Sequence, residues 1–390
     1  MSDAAPGVFS SQPLPGWRRA VLKVGSNLLT AGERELSDRH ARGLADFIVA
    51  SRAQGREVVL VSSGAVAAGR ARIEIASASG ELVQRQALAA LGQTRMIALW
   101  QSLVEAPVAQ VLLAHDDLRN RRRYLNARNT LLELLRLRAL PVVNENDTVA
   151  VEELKLGDND NLAAIVAALV DADLLLIASD IDGLYTGHPQ RRPDARPVES
   201  VTTIGADILA MAGDAGSTQG TGGMHTKLQA AMKAANAGID TVLFNGANAQ
   251  TVAMLARGAF RGTRFAASGT RLAARKYWLR HAPGADAAIR IDAGAARALA
   301  AGKSLLPGGI VGVDGDFARG DIVEITAAIA PARSADPVVV ARGLTQYSSN
   351  EVRRLAGRHS ADIETLLGFS YGDTVVRRDD LVALVEAPAT

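Results

Sequence analysis

Residues 156–180 read LGDNDNLAAIVAALVDADLLLIASD. The apolar positions Leu162, Ile165, Val166, Leu169 and Val170 recur three or four apart, which predicts a helix. Four polar residues, Asp158, Asn159, Asp160 and Asn161, stand at its start. After Asp171 the pattern changes. ADLLLIASD (172–180) is apolar without alternation and ends in Ser-Asp. A strand covered on both faces reads that way.

The same unit recurs outward along the chain. AVLKVGSN (20–27), EVVLVSSG (57–64), AQVLLAHDD (109–117), LPVVNEND (140–147) and DTVLFNG (240–246) are further apolar runs closing on small or polar residues. Helical patterns lie between them. Ser37 is placed to cap a helix carrying Leu44, Phe47 and Ile48. Others run through VQRQALAALGQTRMIALWQSL (83–103) and ARNTLLELLRLRAL (127–140). Strands alternating with helices predict an α/β fold, a three-layer α/β/α sandwich with a mainly parallel sheet. In such sheets ligands bind beyond the carboxyl ends of the strands. Those ends, KVGSN, VSSGA, NEND and ASDIDG, are rich in Gly, Ser, Asn and Asp.

The pattern changes after about residue 265. The expected organisation is a loose leader over 1–17, the α/β domain over 18–265, a linker over 266–284, a small β-rich domain over 285–366 and a C-terminal extension over 367–390. The β-rich assignment rests on short strands separated by Pro-Gly, Asp-Gly and Arg-Gly turns.

Composition narrows the function. The 390 residues are 48% hydrophobic and 22% charged, so a core can form. The net charge of +2 argues against a dominant nucleic-acid or membrane field. The absence of cysteine excludes disulfides, thiolate metal sites and thiol catalysis. No apolar run approaches the ~18 residues a bilayer span needs. The first residues lack the charged-then-apolar pattern of a signal peptide. A soluble, cytoplasmic protein is expected.

Three stretches carry candidate chemistry. In GTGGMHTKLQAA (220–231), glycines lead into Thr226, Lys227 and an Ala-rich helix. Backbone N–H groups and a helix start suit an anion there. The spacing is not that of the common P-loop, and a flexible loop followed by a surface lysine is the plainer alternative. In LKVGSN, Lys23 ends an apolar strand before Gly25 and Ser26, where burial is costly unless an anion meets it. SSGAVAAGR (62–70) offers Ser62, Ser63 and Gly64 at a strand-to-helix turn. In GDNDN, capping needs one polar residue and four are present. The EF-hand spacing is absent, so a site for a polar substrate is the functional reading. Asn144 and Asp147 end the preceding strand and can join the same cleft. The histidines show no metal-ligand spacing, His115 with Asp116 and Asp117 reads as a surface loop, and RNRRRYLNARN (119–129) reads as a solvated helix face.

KVGSNLLT, VSSGAVAAGR, QALAALGQTRMIALWQ, NARNTLLELL, PVVNENDTVA, KLGDNDNLAA, SDIDGLYT and GTGGMHTKLQAA, in this order, resemble the amino acid kinase family, and within it the branch acting on L-glutamate. GKSLLPGGI, FARGDIVEI and ARGLTQYSSNEV resemble a PUA domain. The likeness spans roughly residues 18 to 380. It implies ATP-dependent phosphorylation of the glutamate side-chain carboxylate to glutamyl 5-phosphate, the first step of proline biosynthesis. By resemblance, Lys23 and Lys227 flank the transferred phosphoryl group and Asp160 orients both. Ser63, Asp147 and Asn159 are similar to glutamate-binding positions. Ser179, Asp180 and the loop Thr221, Gly222, Gly223, Met224, His225, Thr226 and Lys227 look like the nucleotide site, with Gly25, Ser26 and Gly64 near the phosphates. Ser26 and Ser179 stand where relatives often have Thr, which keeps the hydroxyl. The cofactors implied are ATP and Mg²⁺, the metal held with ATP and not by protein ligands. The resemblance further implies proline as feedback inhibitor, a downstream glutamyl phosphate reductase and a homodimer or homotetramer. The alternatives are another substrate of the same superfamily (acetylglutamate, aspartate or a nucleotide) and RNA binding through the PUA-like domain, which the weak basic-aromatic pattern there disfavours.

Overall fold

The computed structural model describes residues 7–31, 35–71, 73, 82–114, 117–118, 120–149, 159–189, 191–192, 194–212, 223–269, 279, 285–327 and 338–384. Every apolar run named above forms a strand of one sheet. These are β1 (Arg19–Val24), β2 (Glu57–Ser62), β3 (Val108–Leu113), β4 (Leu140–Glu145), β5 (Leu174–Ser179) and β7 (Asp240–Asn245). Two short strands, β6 (Ser200–Val201) and β8 (Thr263–Phe265), complete the order β6-β8-β7-β5-β1-β2-β4-β3. Neighbours are parallel except β7 and β8.

Strand alternation sorts side chains to two faces. Leu22, Val24, Leu60, Leu176 and Phe244 join one core with Leu44, Phe47 and Ile48 of α1 (Ala41–Ala53) and Met96 and Trp100 of α3 (Leu82–Leu103). The alternate positions Val21, Lys23, Val59, Val61 and Ile177 point the other way and are buried too. Lys23 thereby reaches α5 (Asn159–Leu169), whose Asp160 it meets. The placement of a lysine inside a parallel sheet follows from its register, Lys23 opposite Val61 and Ile177.

Between β2 and α3, Gly64 takes the left-handed conformation (φ 105°) and opens α2 (Ala65–Arg70). A β-carbon on Gly92 would stand 1.8 Å from the Ala65 carbonyl oxygen, and one on Gly69 would stand 2.0 Å from that of Leu88. Only glycine lets the α2 and α3 backbones approach this closely. The contact sets α3 beside the carboxyl end of β2.

Several expectations need correction. α1 begins at Ala41 and not after Ser37, whose hydroxyl instead accepts from the Arg39 N–H in the turn before it. The helix expected over 127–140 is α4 (Arg121–Arg136), because Leu140 already belongs to β4. The basic stretch on α4 is not wholly solvated: Arg128 is 6% exposed and pairs with Asp171 at 2.5 Å. The leader is not loose from Phe9 onward. Phe9 is buried, and Gln12–Pro13 pairs antiparallel with Ala259–Phe260. His115, Asp116, Thr221, Gly222 and most of the expected linker lie outside the described residues.

The chain divides into two compact units, Met1–Arg119 with Asn126–Arg271, and Asn120–Leu125 with Leu272–Thr390. The second holds a five-stranded sheet of β9 (Ala288–Ile291), β10 (Ile310–Asp314), β11 (Ile322–Ala327), β12 (Val338–Thr345) and β13 (Val376–Ala383), in the order β10-β9-β11-β12-β13. β13 lies in the expected C-terminal extension. It is an integral strand, because Val376 and Leu381 belong to the same core as Ile289, Ile325 and Tyr347.

Candidate active site

The carboxyl ends of β1, β2, β4 and β5 bring their polar residues to one edge of the sheet, and the first turn of α5 meets them there. Asp160 is fully buried and holds two lysines. Its Oδ1 lies 2.5 Å from Lys23 Nζ and its Oδ2 lies 3.2 Å from Lys227 Nζ. Both lysines are 5% exposed. Thr226 Oγ1 lies 2.8 Å from the Gly223 carbonyl oxygen and 3.2 Å from Asp160 Oδ2, two acceptors for its one proton. Lys227 and Thr226 stand in the first turn of α6 (Met224–Asn236). Burial alone would push the Asp160 carboxyl up. The charges and hydrogen bonds of Lys23 and Lys227 outweigh it and hold the group below its usual value. Two ammonium groups meet on one carboxylate, and the Lys227 charge also reaches Asp180, so this edge carries both lysine charges in fixed positions.

One residue earlier on α5 a neutral network starts. Asn159 Nδ2 donates to Ser63 Oγ at 2.7 Å and to Asn144 Oδ1 at 2.9 Å. Asn144 Nδ2 donates in turn to Gln93 Oε1 on α3 at 3.0 Å. Asn144 and Gln93 are both buried. These bonds fix the polarity of the cluster. Both Asn159 N–H groups are engaged, so its carbonyl oxygen is left to accept. Ser63 Oγ accepts from Asn159, so its own proton is left to donate. Behind it Trp100 Nε1 donates to Ser62 Oγ at 2.9 Å and anchors the end of β2. Asp147 lies half-buried in a single 3₁₀ turn, Asp147–Val149, just past β4.

Asp180 follows β5 on the other flank. Its Oδ2 accepts from Asn27 Nδ2 at 2.8 Å and its Oδ1 from Ser179 Oγ at 3.1 Å. Burial raises its carboxyl. The Asn27 and Ser179 bonds, a backbone bond and the Lys227 charge bring it below the ordinary value. Gly25 is extended and has room for a β-carbon, 3.7 Å from Lys23 Nζ. Ser26 is exposed in the next 3₁₀ turn. Gly223 and His225 are exposed and Met224 is half-buried, with His225 Nε2 3.0 Å from Gln229 Nε2. Among the described residues no group of three or more His, Asp or Glu could hold a metal ion.

Two participants escaped the sequence reading: Gln93 inside QALAALGQTRMIALWQ and Asn27 inside KVGSN. Thr226, expected in the nucleotide loop, also brings its hydroxyl to Asp160. For Gln93 the signal was there: a glutamine on the buried face of a helix, directly after Gly92.

A parallel sheet with this edge matches a known plan. The profile of the amino acid kinase family matches residues 18–245 and that of the PUA domain residues 287–367. The chain belongs to the amino acid kinase family. Within it, the similarity runs along nearly the whole chain to glutamate 5-kinases. The Xylella fastidiosa (strain M12) protein is 62% identical over 381 residues, 97% of this chain and 98% of its own. The Xanthomonas campestris pv. campestris (strain 8004) protein is 63% identical over 366 residues, 93% of this chain and 100% of its own.

Proposed function

We propose that this protein transfers the terminal phosphoryl group of ATP to the side-chain carboxylate of L-glutamate, giving glutamyl 5-phosphate and ADP. The observation that carries the reading is the buried Lys23–Asp160–Lys227 bridge beside the Ser63–Asn159–Asn144 network. The similarity to glutamate 5-kinases supports the choice of acceptor.

In this reading one glutamate carboxylate oxygen attacks the γ-phosphorus. A new O–P bond forms, and the bond to the β–γ bridging oxygen breaks with its electron pair going to ADP. The attacking carboxylate is already ionised at neutral pH, so no general base is needed. The barrier lies in bringing anion to anion and in the charge that spreads over the transferred group. Lys23 and Lys227 offer ammonium groups to that charge, and Asp160 fixes their positions before substrate arrives. Asp160 is spent on the lysines, so Mg²⁺ would travel with the ATP phosphates and supply further charge neutralisation there. Ser179 and Asp180, with the turn Gly223–Lys227 and the neighbouring Gly25 and Ser26, would take the nucleotide and its phosphates; Thr221 and Gly222 complete that loop in sequence.

The amide network suits the amino-acid end of the substrate. The Ser63 hydroxyl proton fits a carboxylate and the Asn159 carbonyl oxygen fits an ammonium group. Asp147 adds a negative charge for the same ammonium. Gly64 holds Ser63 at the start of α2.

The test is ADP release with glutamate, ATP and Mg²⁺, with hydroxylamine trapping the acyl phosphate. Aspartate, acetylglutamate and UMP run in parallel, with and without proline. Hydroxamate from glutamate alone is expected, with proline lowering the rate. Turnover on another acceptor in place of glutamate overturns the substrate assignment.

A further inference from the structure

Residues 7–17, just upstream of residue 18 where the kinase family match begins, cross the loop that follows β5. Phe9 is 3% exposed. Its ring meets Tyr185 edge-on, with centroids 5.2 Å apart. A β-carbon on Gly183 would lie 2.5 Å from Phe9 Cζ and 2.8 Å from Thr263 Oγ1. The ring edge therefore fills the space a side chain at 183 would need. Ser10, Gln12 and Leu14 are each tied down in turn. The Ser10 N–H donates to Glu199 Oε1 at 2.7 Å. Gln12 Nε2 donates to the Gly262 carbonyl at 3.0 Å and the Glu199 carbonyl at 3.4 Å. The Leu14 N–H donates to the Gly258 carbonyl at 2.8 Å. Terminal segments are poorly ordered unless fastened in this way.

The loop beneath the arm begins with Ser179 and Asp180. Asp182 accepts from Asn245 Nδ2 at 2.8 Å and from the Tyr185 hydroxyl at 3.4 Å. The Leu184 N–H donates to Thr263 Oγ1 at 2.8 Å. Phe9 thus packs on the two residues, Gly183 and Tyr185, that flank the fixed end of the loop. Asp180 stands at its other end.

We propose that the N-terminal arm is a positioning element for the nucleotide side of the site: Phe9, seated on Gly183 and Tyr185, holds the β5 loop in the conformation that presents Asp180 to ATP. The inference rests on the reading of Ser179 and Asp180 as nucleotide contacts. Its physical basis is population. A loop that is competent for only a fraction of the time binds with its affinity reduced by that fraction. Among the described residues these hydrogen bonds of Ser10, Gln12 and Leu14 go to Glu199, Gly262 and Gly258, and none goes to Ser63, Asn144, Asn159 or Gln93.

The experiment measures separate KM values for ATP and glutamate in the full chain. Phe9→Ala should raise KM for ATP about tenfold, with KM for glutamate within about twofold and kcat within about threefold of wild type. Phe9→Leu, which refills most of the space, should restore KM for ATP. Gly183→Ala should raise KM for ATP by displacing the ring, and its effect should shrink when introduced into Phe9→Ala. Unchanged KM for ATP in a folded Phe9→Ala variant, or equal rises in both KM values, overturns the proposal. If Phe9→Ala does not fold, Gly183→Ala decides by the same criterion. Asp180→Ala separates the two layers of the argument. If it raises KM for ATP while the arm variants do not, the arm role fails and the nucleotide site stands. If it leaves KM for ATP unchanged, both fail.

Discussion

Asn159 and Asp160 are neighbours in the first turn of one helix, yet they organise two unlike halves of the site. Asp160 gathers charge: two buried ammonium groups on one buried carboxylate. Asn159 gathers neutral donors and acceptors in a chain running to Ser63, Asn144 and Gln93. Successive helical residues point about 100° apart, so one helix start can serve two clusters. The charged half is suited to a group whose charge changes during reaction. The neutral half is suited to one that only needs to be oriented. Damage to the first should therefore appear in kcat and in stability, and damage to the second in KM for the amino acid.

The largest test of that contrast is Asp160→Ala. It removes the carboxylate that two buried ammonium groups meet, and breaking a buried pair by removing one partner costs about 3–5 kcal/mol. A chemical-denaturation midpoint should fall accordingly, with activity lost. A variant as stable as wild type would mean the bridge is not the buried anchor it resembles. Lys227→Ala comes next, with a loss of ~10²-fold or more in kcat, about 2.7 kcal/mol of transition-state stabilisation. A folded variant with near-normal kcat would reject the charged half as the catalytic one. Gln93→Leu should be milder and of the opposite kind. It removes the acceptor for Asn144 Nδ2, frees that amide to rotate, and should raise KM for glutamate about tenfold, or about 1.4 kcal/mol. Here kcat and KM for ATP should hold, and a kcat loss would erase the distinction between the halves.

The last test is one of pH. The folded Asp160 carboxyl lies below its usual value, so its ionised form contributes stability that is fully present above the unfolded value of about 3.9 and is lost as pH falls through the folded one. Wild type should be more stable than Asp160→Asn at pH 7, and the gap should narrow only in acid below about pH 4. Denaturation midpoints of the two proteins across that range read the gap directly. A constant gap would show that the contribution is not ionic.

The sheet was legible because its strands announce themselves. The runs from AVLKV to DTVLF are largely apolar, as burial on both faces demands of the inner strands, with Gln110 exposed on the edge strand β3, and each ends in small or polar residues. Helix limits were less legible. Ser37 has a capping side chain, but the chain makes one more turn before α1, and sequence does not show which of several polar residues the backbone will use. Arg128 read as solvated because its neighbours are basic; its burial depends on Asp171, distant in sequence. Phe9 gave no periodic signal, since a single aromatic in a polar leader has no pattern to join. β13 was missed because VRRDDLVA is charged at its centre, and only pairing with β12 makes it a strand.

Sequence alone determined which residues would stand at the strand ends and at the start of α5, because periodicity and polarity are local properties. It placed Lys23 at the end of a strand and Asp160 at the start of a helix. That Lys23 turns toward α5, that Lys227 arrives from α6 at the same carboxylate, and that Gln93 closes the amide chain were decided only by tertiary structure. Strand register and the close approach of α2 and α3 set those meetings, and both depend on contacts between residues far apart in the chain.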